Sequence, residues 1–181
     1  MDRLILLVES RIRGDVYVRF GGELPKTHRS NTAGRWMLSL PVEEALCFDW
    51  IDSTTRPLDK DHKIQRFTPR NPKSTYSQAN KERLKWLLEN KMIHPKFEDK
   101  TRSILSEPFI FPNDIIDKLK EDKVVWKNYQ PFSEAYKRIR IAYIEAARKR
   151  PEEFEKRLNN FISKTKENKT IIGFGGIEKY Y

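Results

Sequence analysis

The chain contains few of the residues that form disulfides or bind transition metals. Among its 181 residues there are one cysteine, Cys47, and three histidines. One thiol cannot form an intramolecular disulfide, so a reducing compartment is expected and the predicted location is the cytoplasm. The histidines His28, His62 and His94 lack metal-ligand spacing, so no metal site is predicted and each is interpreted as a surface residue.

Long apolar runs and nucleotide-binding motifs are also lacking. The apolar run Leu4–Val8 is too short for the core of a signal peptide, and no window approaches the ~20 apolar residues of a membrane span. The sequence has no phosphate-binding loop, no dinucleotide-binding glycine pattern and no serine-nucleophile motif. No cofactor and no catalytic residue are therefore predicted, and binding is favoured over catalysis.

Positive charge is what the chain has in excess. The net charge is +10, and the excess lies in residues 61–100 and 134–170, whereas residues 41–62 are acidic. A positive field attracts polyanions, so a nucleic-acid-binding module is one alternative function. The residues that would form its basic stripe are Arg138, Arg140, Arg148, Lys149 and Arg150. The other interpretation is a solvated helical surface.

Two segments in the first half of the chain have the pattern of β-strands. Residues 16–20 and 64–68 are β-branched and aromatic or alternate in polarity. Residues 4–12 fit either a strand or a short helix, because their periodicity does not decide. Residues 52–62 are typical of a polar connector.

Helical patterns accompany these strands and then dominate. Residues 41–50 predict a helix, and residues 75–92 give the most regular helical pattern, with Thr75-x-x-Gln78 as a capping-box sequence. From Pro112 to about Lys169 every segment is typical of helix. The predicted class is α+β: a small antiparallel sheet with packed helices, followed by a helical C-terminal region.

The composition changes near residues 98–111, which suggests a soft boundary. We predict an α+β region at residues 1–108, a helical region at 109–170 and a tail at 171–181, in which Gly173-Phe-Gly-Gly176 is predicted to be a loose end. Within the helical region, Ser133 and Pro151 are predicted to start helices. Three aromatic residues follow the apolar spacing and are predicted to be core rather than base-stacking platforms: Trp126, Tyr136 and Tyr143.

Polar residues between positions 47 and 77 give the best candidate for a small-molecule site. Arg66, Arg70 and Lys73 precede the best-capped helix, whose first amide groups can bind an anion. The predicted anion site consists of Asp52, Arg66, Arg70, Lys73 and Ser77, with Trp50 as a wall. The alternative is a salt-bridged structural loop. An enzyme of unknown reaction that uses this cluster, with Asp49 and Asp52 in acid–base roles, is left open.

Cys47 is predicted to be a buried structural residue. It lies between Leu46 and Phe48 towards the end of the predicted helix. A reactive cysteine needs a nearby cation, a base or a helix N-terminus to lower its pKa, and an apolar location raises that pKa instead.

Two sequence blocks carry a family resemblance. Residues 44–52 read Glu-Ala-Leu-Cys-Phe-Asp-Trp-Ile-Asp, and residues 65–80 read Gln-Arg-Phe-Thr-Pro-Arg-Asn-Pro-Lys-Ser-Thr-Tyr-Ser-Gln-Ala-Asn. With the helical stretch from Ile110 to about Lys169, they resemble the YdeI/OmpD-associated, bacteriocin-protection family over about residues 12–170. Members of that family tend to have glycine at the positions of Asp49 and Ser53.

The resemblance implies a role rather than a reaction. It brings no agreed substrate, cofactor or catalytic residue. We therefore expect a cytoplasmic protective or stress-related protein of this type, acting by binding a protein partner or an anionic ligand. The ligand and the oligomeric state are not indicated by the sequence.

Overall fold

A computed structural model describes residues 7–10, 15–20, 42–57, 63–173 and 176–181, with the backbone alone at 7–10, 15–20, 52–56 and 63–64. The chain divides into two compact units. The first, called the sheet unit, comprises Met1–Thr75, Leu84–Arg102 and Phe174–Gly176. The second, called the helical unit, comprises Tyr76–Arg83, Ser103–Gly173 and Ile177–Tyr181. The predicted boundary at residue 108 stays a prediction.

The sheet unit contains a four-stranded antiparallel sheet. Its strands are β1 (Leu7–Ser10), β2 (Asp15–Phe20), β3 (Trp50–Pro57) and β4 (Lys63–Pro69). They are ordered β1-β2-β4-β3, so β4 pairs with β2 on one side and with β3 on the other. In the register, Phe67 of β4 lies opposite Val16 of β2 and Asp52 of β3. The predicted α+β class is confirmed.

Strand β3 covers much of the segment predicted to be a polar connector. Its polar composition suggested a loop, but Ile51, Thr54 and Thr55 are β-branched and favour an extended backbone. Among the described strands it pairs with β4 alone and so lies at the edge of the sheet, where polar residues are tolerated. Residues 58–62 lie outside the described part of the chain.

A short helix, α1, precedes β3 at residues 42–47. It ends earlier than predicted, because Asp49 adopts a left-handed conformation with φ of 57° and Trp50 already starts the strand. Two further helices contribute to the sheet unit: α2 (Gln78–Glu89), from Leu84 onward, and α3 (Pro95–Ser106), as far as Arg102.

The helical unit is built from four consecutive helices. These are α4 (Asn113–Lys120), α5 (Lys123–Tyr129), α6 (Glu134–Glu145) and α7 (Pro151–Lys166). As predicted, Ser133 caps α6, since its hydroxyl accepts a hydrogen bond from the amide of Tyr136, and Pro151 starts α7. The carboxylate of Asp122 caps α5 in the same way.

These helices enclose one hydrophobic core. Its buried members are Ile115, Leu119, Val125, Tyr129, Tyr136, Ile141, Ile144, Leu158 and Phe161. Tyr136 belongs to this core and Trp126 packs against it, both as predicted. The prediction for Tyr143 is wrong, because its side chain is half exposed.

Residues 177–181 pack within the helical unit, whereas the predicted loose end at residues 173–176 lies partly outside the described residues and stays a prediction. Ile177 and Tyr180, in a 3-10 turn at Ile177–Tyr180, are buried. The amide of Ile171 donates to the hydroxyl of Tyr136 at 2.9 Å. Gly173 permits this arrangement, because a Cβ there would lie 1.9 Å from Cγ2 of Ile177. Within the described residues, no helix combines the length and the apolar character needed to cross a bilayer.

Candidate anion-binding cleft

An arginine occupies a core position on helix α6. Tyr136, Arg140, Ile144 and Ala147 follow one another at helical spacing, and all four are buried. Arg140 is only 8% exposed. The fold therefore places a permanently charged side chain where the helical pattern puts apolar residues.

The partners of Arg140 are electrically neutral. Its Nη2 donates to the carbonyl oxygen of Ile171 at 2.5 Å and also contacts the hydroxyl of Tyr181. The guanidinium lies 5.6 Å from the ring centroid of Tyr136 and 5.5 Å from that of Tyr181. Its Nε is buried, and no atom of the described residues hydrogen-bonds to it.

The two neighbouring phenols do not supply a negative charge. Burial raises the pKa of Tyr181 to about 12 and also raises the pKa of Tyr136 above its usual range. Both hydroxyls are therefore neutral near pH 7. Within the described part of the chain, no carboxylate forms an ion pair with Arg140. Buried charges are normally paired, because desolvation disfavours them otherwise.

A cleft of about 240 Å³ opens beside Arg140. Helices α6 and α7 form it, and Ile171 from the segment after α7 completes it. The apolar side chains of its lining are Tyr143, Ile144, Phe161 and Ile171. The polar ones are Arg140, Glu153, Lys156, Arg157 and Asn160.

Arg157 is already compensated within the cleft. Its Nε donates to Glu153 at 2.7 Å, and its Nη1 donates to the carbonyl oxygen of Tyr143 at 2.7 Å. The guanidinium also stacks on the Tyr143 ring, with 3.8 Å between Cζ and the ring centroid. The hydrogen bond from Arg157 lowers the pKa of Glu153, so this carboxylate stays ionised and committed to its partner.

Lys156 and Asn160 differ from Arg157 in this respect. Both are exposed on α7, and no side-chain hydrogen bond or ion pair joins either of them to another described residue. With Arg140, they give the cleft two cations that form no ion pair with a carboxylate of the described residues, and one amide, although the charge of Lys156 also acts on Glu153. This arrangement can bind an anion, since charge-assisted hydrogen bonds from Arg and Lys are among the strong ones.

The sequence placed Arg140 in an exposed basic stripe, and its burial corrects that placement. Arg138 makes a two-point ion pair with Glu82 at 2.6 and 2.9 Å. Arg148 pairs with Asp114 and Glu145 at 2.5 Å each. Lys149 and Arg150 are exposed. Three members of the stripe thus already have partners within the chain, although Arg148 is exposed, and nucleic-acid binding stays a prediction.

Arg70 of the predicted 52–77 site is held by neighbouring groups of the sheet unit. Its Nε lies 3.9 Å from Asp49, and its Nη1 donates to the carbonyl oxygen of Thr75 at 3.1 Å. Asp49 also forms an ion pair with Lys100. Arg70 is 7% exposed, so its guanidinium is built into the loop rather than presented to solvent.

The other members of this predicted site are spread over different environments. Arg66 is half-buried in β4, opposite Tyr17, and Trp50 is half-buried at the start of β3, opposite Pro69. Exposed positions are occupied by Lys73 and Ser77. The side chain of Asp52 lies outside the described residues. The 52–77 site therefore stays a prediction.

The expectation for Cys47 is confirmed. The thiol is buried, and this burial, with the nearby Glu44 and Glu43, raises its pKa to about 11. His94 is exposed, and its ring lies 5.4 Å from that of Phe48. His28 and His62 lie outside the described residues. Among the residues with described positions, no group of three or more His, Cys, Asp or Glu could hold a metal ion.

Comparison with known proteins identifies two regions of this chain. Residues 24–100 match a family described as a domain of unknown function (DUF8412). Residues 108–168 match the family described as Bacteriocin-protection, YdeI or OmpD-Associated. No curated protein and no solved structure matches the chain.

The match confirms the predicted family over the helical region. The two sequence blocks at residues 44–52 and 65–80 fall within the first match, to the domain of unknown function. The named family therefore rests on residues 108–168, which include α6, α7 and every lining residue of the cleft except Ile171.

Proposed function

From the match of residues 108–168 to the Bacteriocin-protection, YdeI or OmpD-Associated family, we propose that this chain is a protective or stress-related protein that acts by binding. The ligand is an anion, or the anionic group of a partner, and its site is the cleft beside Arg140. The cytoplasm is the proposed location, because the single thiol suits a reducing compartment.

One observation carries this proposal: a buried arginine with only neutral partners faces a cleft. Leaving a buried charge without a counter-charge is costly, so proteins keep such groups where they have a task. An anion in the cleft would supply the missing charge, and it would meet Lys156 and Asn160 on the α7 side. The anion can bind without breaking a described ion pair, because Arg140 is in none and the pair between Arg157 and Glu153 stays intact.

Anion binding to the purified full chain tests the proposal. We expect phosphate, sulfate or acetate, added at constant ionic strength, to raise the melting temperature, since a ligand that binds only the native state stabilises it. Calorimetry then gives the affinity. Replacement of Arg140 by Gln should weaken it by about 10- to 100-fold, because hydrogen bonds to charged groups contribute ~1.5–3 kcal/mol.

Lys149→Gln is the matched control, because it removes the same charge from an exposed position outside the cleft lining. It should bind anions as the natural protein does. Should Arg140→Gln fold poorly, Lys156→Gln provides a second test from an exposed position, with an expected loss of about tenfold. Equal anion affinity in the natural protein and in both cleft variants would refute the proposal.

A further inference from the structure

We infer that the cleft beside Arg140 takes a small organic anion with an apolar, preferably aromatic, body. This inference rests on the proposed function and adds the chemical class of the ligand. Four features of the cleft support it: its division into polar and apolar walls, the half-exposed Tyr143, its size and its charge.

The walls of the cleft have two characters. Arg140, Lys156 and Asn160 offer donors to an anionic group. Ile144, Phe161 and Ile171 line the same space with hydrocarbon and contribute no side-chain hydrogen bond. An inorganic anion would contact only the polar wall and would leave water against the apolar wall. A ligand with an apolar body uses both, as small-molecule sites generally do.

Tyr143 is the feature that an inorganic anion leaves unexplained. This residue is 51% exposed although it lies in a cleft of the helical unit. Arg157 stacks on it at 3.8 Å, and that guanidinium is held by Glu153 and by the carbonyl of Tyr143. The stack fixes the ring and leaves half of its surface to solvent. A flat apolar group can pack on that surface with little loss of side-chain freedom.

The size of the cleft limits the ligand. Its volume of about 240 Å³ lies below the ~300–1,000 Å³ of sites for drug-sized molecules. A single ring with a short acidic arm fits this range, whether it is a metabolite or one side chain or chain end of a polypeptide. Arg140 and Lys156, neither of which is in a direct ion pair with a described residue, suit a carboxylate or a phosphate monoester.

A matched set of probes tests this inference on the full chain by calorimetry. Benzoate carries the ring and the charge, acetate the charge alone, and benzyl alcohol the ring alone. We expect benzoate to bind about tenfold or more tightly than acetate, because the ring buries apolar surface against Tyr143 and its neighbours. Benzyl alcohol should show no measurable heat, because it leaves Arg140 without a counter-charge.

Variants of Tyr143 test whether its ring is the surface on which the aromatic body of the ligand packs. Tyr143→Ala should remove most of the advantage of benzoate over acetate and leave acetate binding unchanged. Phe48→Ala is the control, since Phe48 is an aromatic residue of similar exposure, 44%, in the sheet unit. Tyr143→Leu, which keeps an apolar body, should retain part of the advantage and serves if Tyr143→Ala unfolds.

The outcomes separate the two proposals. If acetate and phosphate bind as tightly as benzoate, or if both Tyr143 variants keep the full preference, the ligand class is wrong and anion binding stands. Should benzyl alcohol bind as well as benzoate, or should no anion bind at all, the proposed function falls and the ligand class falls with it.

Discussion

Asp49 combines an unusual backbone conformation with an ion pair. Its φ of 57° is left-handed, which favours glycine and is tolerated by Asp and Asn. The resemblance noted in the sequence led us to expect glycine at this position, and glycine adopts this conformation without a steric cost. This chain instead uses the side chain, since the Asp49 carboxylate pairs with Lys100 and lies 3.9 Å from Arg70. One residue thus ends α1 and anchors the loop that follows β4.

Substitutions at Asp49 separate these two roles. Asp49→Ala loses the carboxylate and keeps the cost of a left-handed residue, whereas Asp49→Gly loses only the carboxylate. We expect the alanine variant to be less stable than the glycine variant by about 1 kcal/mol. Urea denaturation of both variants measures the difference. Equal free energies of unfolding would show that the left-handed turn relaxes.

Cys47 should react slowly with thiol reagents. Its pKa of about 11 lies above the ordinary value of 9.0, so the thiolate fraction near pH 8 is roughly 100-fold lower in the folded protein than in the unfolded chain. The rate of alkylation, followed with and without denaturant, measures this difference. Similar rates under both conditions would contradict burial of the thiol.

The same shift in pKa makes stability depend on pH. Between the usual thiol pKa and about 11, the unfolded chain releases the Cys47 proton while the folded chain keeps it. The contribution of this group to stability is therefore complete below the usual thiol pKa and is lost as the pH rises. The variant Cys47→Ser should lack this component of the loss, which denaturation curves at several alkaline pH values would show.

At the scale of elements, the start of α2 shows how tertiary contacts select a cap. The sequence indicated a capping box at Thr75 and Gln78, but α2 begins at Gln78 and the hydroxyl of Ser77 accepts from the amide of Asn80 at 3.3 Å. Arg70 donates to the carbonyl of Thr75 and holds that residue outside the helix. Ser77 is thus the functional cap.

Alanine substitutions at the two positions test this assignment. Ser77→Ala should destabilise the protein by about 1 kcal/mol, which is typical for the loss of a side-chain cap. Thr75→Ala should change stability by less than about 0.5 kcal/mol, because the bond from Arg70 goes to the backbone carbonyl. Chemical denaturation measures the free energy of unfolding of both variants. A larger loss for Thr75→Ala than for Ser77→Ala would show that Thr75 caps the helix, as the capping-box sequence predicted.

Docking of the C-terminal residues depends on a glycine. A Cβ at position 173 would overlap the buried Ile177 and would lie 2.8 Å from the Tyr181 hydroxyl. Gly173→Ala should therefore release the residues after position 173 and make the C-terminus sensitive to carboxypeptidase. Because Tyr181 contacts Arg140, the same variant should change anion affinity. Protection equal to that of the natural protein would mean that the packing adjusts.

At the scale of the whole molecule, a segment distant in sequence completes the helical unit. Residues 76–83 belong to it, and Glu82 pairs there with Arg138 through two hydrogen bonds. Gln78 also donates to Glu82 at 2.8 Å. Glu82 is 6% exposed, so its charge is supported by these partners rather than by water.

Loss of this carboxylate should be costly. Glu82→Ala removes both hydrogen bonds that a carboxylate makes to the partly buried Arg138, and we expect a loss of about 2–3 kcal/mol, below the ~3–5 kcal/mol of a fully buried pair. Glu89→Ala, at an exposed position of the same helix, should cost less than about 0.5 kcal/mol. Denaturation curves compare the two, and equal stabilities would mean that the ion pair contributes little.

Local patterns in the sequence were sufficient for the class of fold, the helices from Pro112 onward, the buried thiol of Cys47 and the named family over residues 108–168. Each of these follows from helical or strand periodicity, capping residues or a recognisable stretch of chain. The strand after Trp50 was missed because its polar residues suit an edge strand as well as a loop.

Only the tertiary structure decided the environment of Arg140. Its spacing from Tyr136 and Ile144 fits a core position, but its charge suggested an exposed one. The local sequence pattern does not decide between the two positions. Whether a buried arginine finds a carboxylate depends on side chains brought together from distant parts of the chain. Here those partners are Ile171, Tyr136 and Tyr181, which are all neutral. No local pattern indicates that these residues meet Arg140, so the cleft could not be predicted from the sequence.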